Sequence, residues 1–74
     1  MKFTEGRKYQ AYDPSLSPIT VVKRTEKTIL VTNEFGYTWR MKVRTDSFGN
    51  EYAYDSRETD KWRTAWTFLA MYEI

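Results

Sequence analysis

Across residues 19–54 apolar and polar side chains alternate with a period close to two, the signature of strands buried on one face. The alternation is cleanest over residues 38–44, where Trp39, Met41 and Val43 fall on one side and Arg40, Lys42 and Arg44 on the other. Residues 19–24 and 27–33 are rich in β-branched side chains, and Thr25-Glu26 between them predicts a tight hairpin. Its chemistry is poor, because neither residue favours the positive φ of two-residue hairpin turns. That hairpin sets Arg24 opposite Lys27, Val22 opposite Ile29 and Val21 opposite Leu30. Residues 34–37 contain Gly36 and read as a four-residue loop, placing Thr32 opposite Trp39 and Leu30 opposite Met41. A second glycine loop, residues 46–49, places Glu51 opposite Arg44, Tyr52 opposite Val43 and Tyr54 opposite Met41. Both loops agree on an inner face built on Trp39, Met41 and Val43.

Before this meander, residues 8–12 alternate as a first strand, and residues 13–18 hold two prolines that forbid continuous pairing. After it, residues 55–60 are polar and turn-like. Trp62, Ala65, Trp66 and Leu69 fall at helical spacing, while Trp66, Phe68, Ala70 and Tyr72 fit a strand equally well. One helical turn over residues 60–65 and a closing strand over 66–72 is the preferred reading, with a helix over the whole segment still open. The fold class is mainly β: a small antiparallel barrel of about five to six strands with one short helical turn before the last. This order of a strand, a Pro-containing loop, a hairpin, two strands, a helical turn and a closing strand resembles the SH3-like small barrels. The peptide-binding signature of that group is missing, since Tyr9 and Tyr12 lack the acidic loop and paired tryptophans, so polyproline recognition is not implied. The phrases AYDPSLSPITVVKRTEKTILVTNE, GNEYAYDS and WRTAWTF resemble short phage and mobile-element proteins of gut Firmicutes. That resemblance carries no functional residues across; it implies a setting in which small proteins bind and inhibit host or defence proteins.

Seventy-four residues suffice for one domain, 1–74, and its aromatic content of 18% supplies bulky rings for a small core. Without cysteine there are no disulfides or thiolate metal sites, and without histidine the commonest general base and metal ligand are both missing. No cofactor, metal or catalytic residue is expected. Asp13, Asp46, Glu51, Asp55, Glu58 and Asp60 show no spacing that argues for a shared acid–base site, and the three glycines form no phosphate loop. No apolar run is long enough to span a membrane and no signal-peptide core is visible, so a cytoplasmic protein is expected.

Two surfaces remain as candidates. Arg40, Lys42 and Arg44 form a basic stripe able to follow phosphates, although the expected register pairs Arg44 with Glu51 and Arg40 with Asp55. The same register gathers Val22, Ile29 and Val31 on the outer face within a charged rim, the composition of a protein-binding patch. Phe35 and Phe48, at loop tips beside glycines, are candidate anchors for the same partner. Trp39 and Trp66 are expected in the core, with Trp62 unassigned. The expected function is therefore a non-catalytic protein-interaction module, with an inhibitor of a host or defence protein as the form the resemblance implies. Direct nucleic-acid binding through the basic stripe is the alternative, and self-association as a homodimer is a third reading; the net charge of +2 decides between none of them.

Overall fold

The computed structural model describes residues 1–54 and 67–74. Six strands follow one another in space as in sequence: β1 (Lys8–Ala11), β2 (Ile19–Arg24), β3 (Thr28–Asn33), β4 (Thr38–Thr45), β5 (Glu51–Tyr54) and β6 (Thr67–Glu73). Each pairs antiparallel with the next, and β6 returns to β1 through Tyr9↔Glu73 and Ala11↔Phe68, closing a barrel. Closure removes the open edges through which a small sheet would otherwise aggregate. The mainly β small barrel is thus the architecture. The helical turn expected over residues 60–65 lies outside the described residues, as do Trp62 and Trp66, but from Thr67 onward the strand reading holds.

Both glycine loops are one residue shorter than the sequence pattern predicts. Asn33 Oδ1 accepts the backbone N–H groups of Phe35 and Tyr37 at 3.0 and 3.1 Å. Asp46 Oδ1 does the same for Phe48 and Asn50 at 2.8 and 2.9 Å. The residue closing each loop is also tied back through its carbonyl, by Asn33 N–H to Tyr37 and Asp46 N–H to Asn50. Three residues therefore span each hairpin, and Gly36 and Gly49 take the left-handed position at φ 83° that such loops require. The β2–β3 turn differs: Thr25 N–H donates to the Thr28 carbonyl at 2.8 Å and the two hydroxyls bond at 2.7 Å, which closes a loop of Glu26 and Lys27 without positive φ.

These turns shift every register in the meander. Ile29 pairs with Met41 and Val31 with Trp39, so both β3 residues enter the barrel, where they are fully buried. The expected apolar trio on the outer face is therefore wrong for Ile29 and Val31; only Val22 is exposed, at 51%. On β5 the same one-residue shift pairs Thr45 with Glu51, Arg44 with Tyr52, Val43 with Ala53 and Lys42 with Tyr54. Ala53 and Glu51 turn inward, and Tyr52 and Tyr54 turn outward from the inner positions the four-residue loop gave them. The inner face of β4 stands as expected, with Met41 buried and Trp39 and Val43 packed against the core.

A bulge in β2 completes the rearrangement. Val21 pairs with Val31 but Lys23 pairs with Leu30, leaving Val22 as the extra residue. Strict alternation from buried Val21 would turn Lys23 inward and Arg24 outward. The bulge reverses both, so Lys23 joins the outer face beside Leu30 while Arg24 turns toward the end of the barrel opposite Ile29.

The core also takes in a residue from before the first strand. Phe3 is buried and meets Tyr9 edge-to-face with ring centroids 4.9 Å apart, a geometry that adds about 0.5–1.5 kcal/mol to the burial itself. The Tyr9 hydroxyl accepts the Thr4 N–H at 2.8 Å, so this buried phenol leaves no polar atom unmatched.

Two measurements check this account. Urea unfolding of Ile29→Ala is expected to lose about 2–5 kcal/mol, while Val22→Ala stays within about 0.5 kcal/mol of the parent; equal effects would contradict the register. Gly49→Ala meets no neighbouring atom within 4 Å, so its expected loss of about 1–2 kcal/mol is purely conformational. Gly49→Asn should recover part of it.

Candidate functional site

Two polar constellations stand out, one closing a barrel end and one covering the outer face. At the barrel end Arg24 and Glu51 form a two-pronged pair, Nη1 to Oε1 at 2.7 Å and Nη2 to Oε2 at 3.1 Å. Glu51 is buried, at 7% exposure, and its Oε1 also accepts the Phe3 N–H at 2.8 Å. Arg24 completes its fork on the carbonyls of Phe3, Thr25 and Glu26. Backbone bonds continue the lock, with Glu51 N–H on the Met1 carbonyl and Arg24 N–H on Glu5 Oε2. Burial pushes the Glu51 carboxyl up, but the Arg24 hydrogen bonds, the Phe3 N–H and the nearby positive charges of Arg24 and Lys2 outweigh it and hold its pKa below the ordinary value. The carboxylate in turn raises the pKa of Arg24, chiefly through their hydrogen bond. Nothing in this arrangement supplies an activated nucleophile: both oxygens of the acid accept from donors that favour its charged form. It is a fastener between β2, β5 and the segment before β1.

That pair overturns one expected partnership. Glu51 does not neutralise Arg44, because the shorter loop sends it through the barrel wall to Arg24. The other expected pair, Arg40 with Asp55, has its acid outside the described residues.

On the outer face, Arg40, Lys42 and Arg44 project from β4, all exposed. Lys42 lies opposite Thr28 on one side and Tyr54 on the other; Arg44 lies opposite Tyr52; Arg40 lies opposite Leu30, which in turn faces Lys23. Two shallow hollows cross this surface. One is lined by Lys23, Thr25, Thr28, Leu30 and Arg40, the other by Lys27, Thr28, Lys42, Val43 and Arg44, and neither lining includes a carboxylate. The described acids are engaged elsewhere. Glu5 and Glu51 hold Arg24, Asp13 binds Ser15, Glu34 takes the Ser17 hydroxyl, Asp46 closes its turn and Glu73 meets Arg7. Glu26 sits at the Arg24 end, in the hollow lined by Lys2, Phe3 and Glu51. Charge is therefore segregated: a modest net charge conceals a face whose described ionic groups are all cations.

Sequence reasoning identified Lys27, Arg40, Lys42 and Arg44 on this face but missed Lys23, Tyr52 and Tyr54, and it placed Arg24 there rather than at the barrel end. The tyrosines were legible in the alternation of EYAY once Asp46 is read as the turn-closing residue. The candidate partner anchors Phe35 and Phe48 are exposed at 70% and 88%, at their turn tips as expected. They lie at opposite ends of β4, an eight-residue strand, so they share no common surface with each other, and Val22 sits on the bulge of β2, two strands from β4. Among the described residues no group of His, Cys, Asp and Glu could hold a metal ion, and no helix is long and apolar enough to cross a membrane. Comparison with protein-family models, curated proteins and solved structures finds no match to this chain.

The pH dependence of the barrel end follows from Glu51. Because its folded pKa is depressed, its contribution is complete above the unfolded value of about 4.3 and is lost as pH falls through the folded one. Glu51→Gln is expected to cost about 3 kcal/mol near neutrality, the low end for a broken buried pair because the Arg24 side chain keeps 22% exposure. Its stability should then vary less than the parent's on acidification below about pH 4.3, as followed by urea unfolding at several pH values. Parallel pH profiles for the two proteins would contradict the assignment.

Proposed function

We propose that this protein binds nucleic acid through the outer face of β4 and β5, without catalysis. The observation that carries this is the juxtaposition of Arg40, Lys42 and Arg44 with Tyr54 and Tyr52 on the adjacent strand, on a surface whose described charges are all positive. Cations in a row attract a phosphate backbone, and tyrosine rings beside them offer flat apolar faces to bases. Segregated positive charge steers a polyanion even when the whole molecule is close to neutral, since the field near the surface is set by the local groups within a Debye length of about 8–10 Å. The protein-interaction reading has lost its centre with Ile29 and Val31 in the core, and what remains of it, Val22 and the two phenylalanine tips, is dispersed.

Fluorescence anisotropy with labelled oligonucleotides at low salt is the direct test. Binding should weaken as salt rises, with a slope that falls by about 0.7 for each phosphate contact removed from a single-stranded ligand. The double variant Lys42→Gln/Arg44→Gln is expected to lose at least about tenfold in affinity and about 1.4 in slope. Lys8→Gln, on β1 across the barrel, serves as the control and should change neither. Absence of binding by the parent protein at low salt rejects the proposal.

A further inference from the structure

We infer that the ligand is a single strand, lying along β4 with consecutive phosphates on Arg40, Lys42 and Arg44 and neighbouring bases stacked on Tyr54 and Tyr52. This rests on the nucleic-acid reading above and adds the substrate class and the direction of the strand's path. Alternate residues of an extended strand repeat every ~6.8 Å. That interval is close to the separation of neighbouring phosphates along one nucleic-acid strand, so the cations can follow a backbone, and it is the flanking rings that call for unpaired bases.

The rows across the sheet supply the rest. β5 runs ~4.8 Å beside β4, and its tyrosines stand level with Lys42 and Arg44 rather than at random along it. Beyond them Thr67 lies opposite Tyr54 and Leu69 opposite Tyr52, so the floor next to the rings is built from half-buried side chains on β6. Both tyrosines are half-buried, so a backbone on the β4 cations has the exposed part of each ring on one flank. Lys23 and Lys27 stand on the other. Reading duplex DNA in the major groove needs an inserted helix or projecting two-stranded ribbon. Here β4 and β5 are wall strands of a closed barrel, and the hairpin joining them ends in a loop of only three residues, 47–49. Asn, Gln and carboxylate side chains are missing from the described part of this face, and its arginines and lysines are assigned here to phosphates, so recognition is by stacking and should tolerate any sequence.

Anisotropy titrations at one low salt concentration, with oligothymidylates of about two to sixteen nucleotides and a duplex of matched length, test this. Affinity is expected to climb steeply up to about four nucleotides and only slowly beyond, with the duplex at least about tenfold weaker. Tyr52→Ala should weaken oligothymidylate binding by at least about fivefold and Tyr52→Phe should leave it unchanged. Tyr52→Leu keeps an apolar side chain without the ring and should bind as poorly as Tyr52→Ala, which separates stacking from loss of fold when circular dichroism is recorded alongside. Duplex binding equal to or tighter than the single strand, or full binding by a folded Tyr52→Leu, overturns the single-strand inference while the nucleic-acid reading stands. Binding of neither probe overturns both.

Discussion

Two side-chain oxygens set the arrangement of this barrel. Asn33 Oδ1 and Asp46 Oδ1 each gather two backbone N–H groups and hold their hairpins to three residues, with glycine in the left-handed position. Side chains alternate along a strand, so loop length decides which half of each strand is core. One residue more would send Ile29 and Val31 into water and Tyr52 and Tyr54 inside. The interior has room for the small set observed, in which Ala11, Ala53 and Ala70 leave space for Tyr9, Phe3 and Met41. Bringing in two further tyrosines would overfill it and bury hydroxyls with no assigned partner. The asparagine and aspartate oxygens and the core volume therefore act in the same sense, which is the agreement between local and global preference that lets a short sequence specify one fold.

The Arg24–Glu51 fastener is a consequence of that register combined with the Val22 bulge. Neither residue would face the barrel end without its own local device: the three-residue loop turns Glu51 inward and the bulge turns Arg24 to meet it. A buried ion pair gains little over a well-packed apolar pair, because desolvation offsets most of the attraction. Its value here lies in connection. Three carbonyls and the Phe3 N–H complete the hydrogen bonding of the pair, and through them the segment that carries Phe3 is fixed against β2 and β5. A core this small cannot spare the Phe3–Tyr9 contact, so an interaction of modest net worth controls the placement of a large one.

Strand positions were legible because periodicity and turn residues both mark them: β2 begins with its β-branched run and ends just before the Thr25 turn, and the alternation of β4 is plain. Loop length was not, since a glycine marks a turn without saying which of its neighbours belong to the loop and which close it: Tyr37 after Gly36 and Asp46 before Gly49 both turn out to close theirs. Asn33 and Asp46 carried that information in their side chains, and the matching phrases NEFGY and DSFGN are its trace. The bulge left no comparable mark. Val21-Val22-Lys23-Arg24 contains no glycine, and only the finished barrel, with a carboxylate waiting at one end, gives a reason for adjacent cations to part. The candidate face was visible as a basic stripe, but the expected pairing of Arg44 with Glu51 was wrong, an error inherited from the register of β5.

That error shows why net charge is a poor guide for a chain of this size. What matters to a polyanion is which carboxylates share a surface with the cations, and this is fixed by strand register rather than by composition. Moving Glu51 by one position removes a negative charge from the outer face, places tyrosine beside Arg44 instead, and spends the carboxylate on Arg24. A single one-residue choice at Asp46 thus stabilises the barrel end and unmasks the basic face together. The two features cannot be tuned apart: any one-residue lengthening of the β4–β5 loop would loosen the fastener and return a carboxylate to the basic surface in the same step.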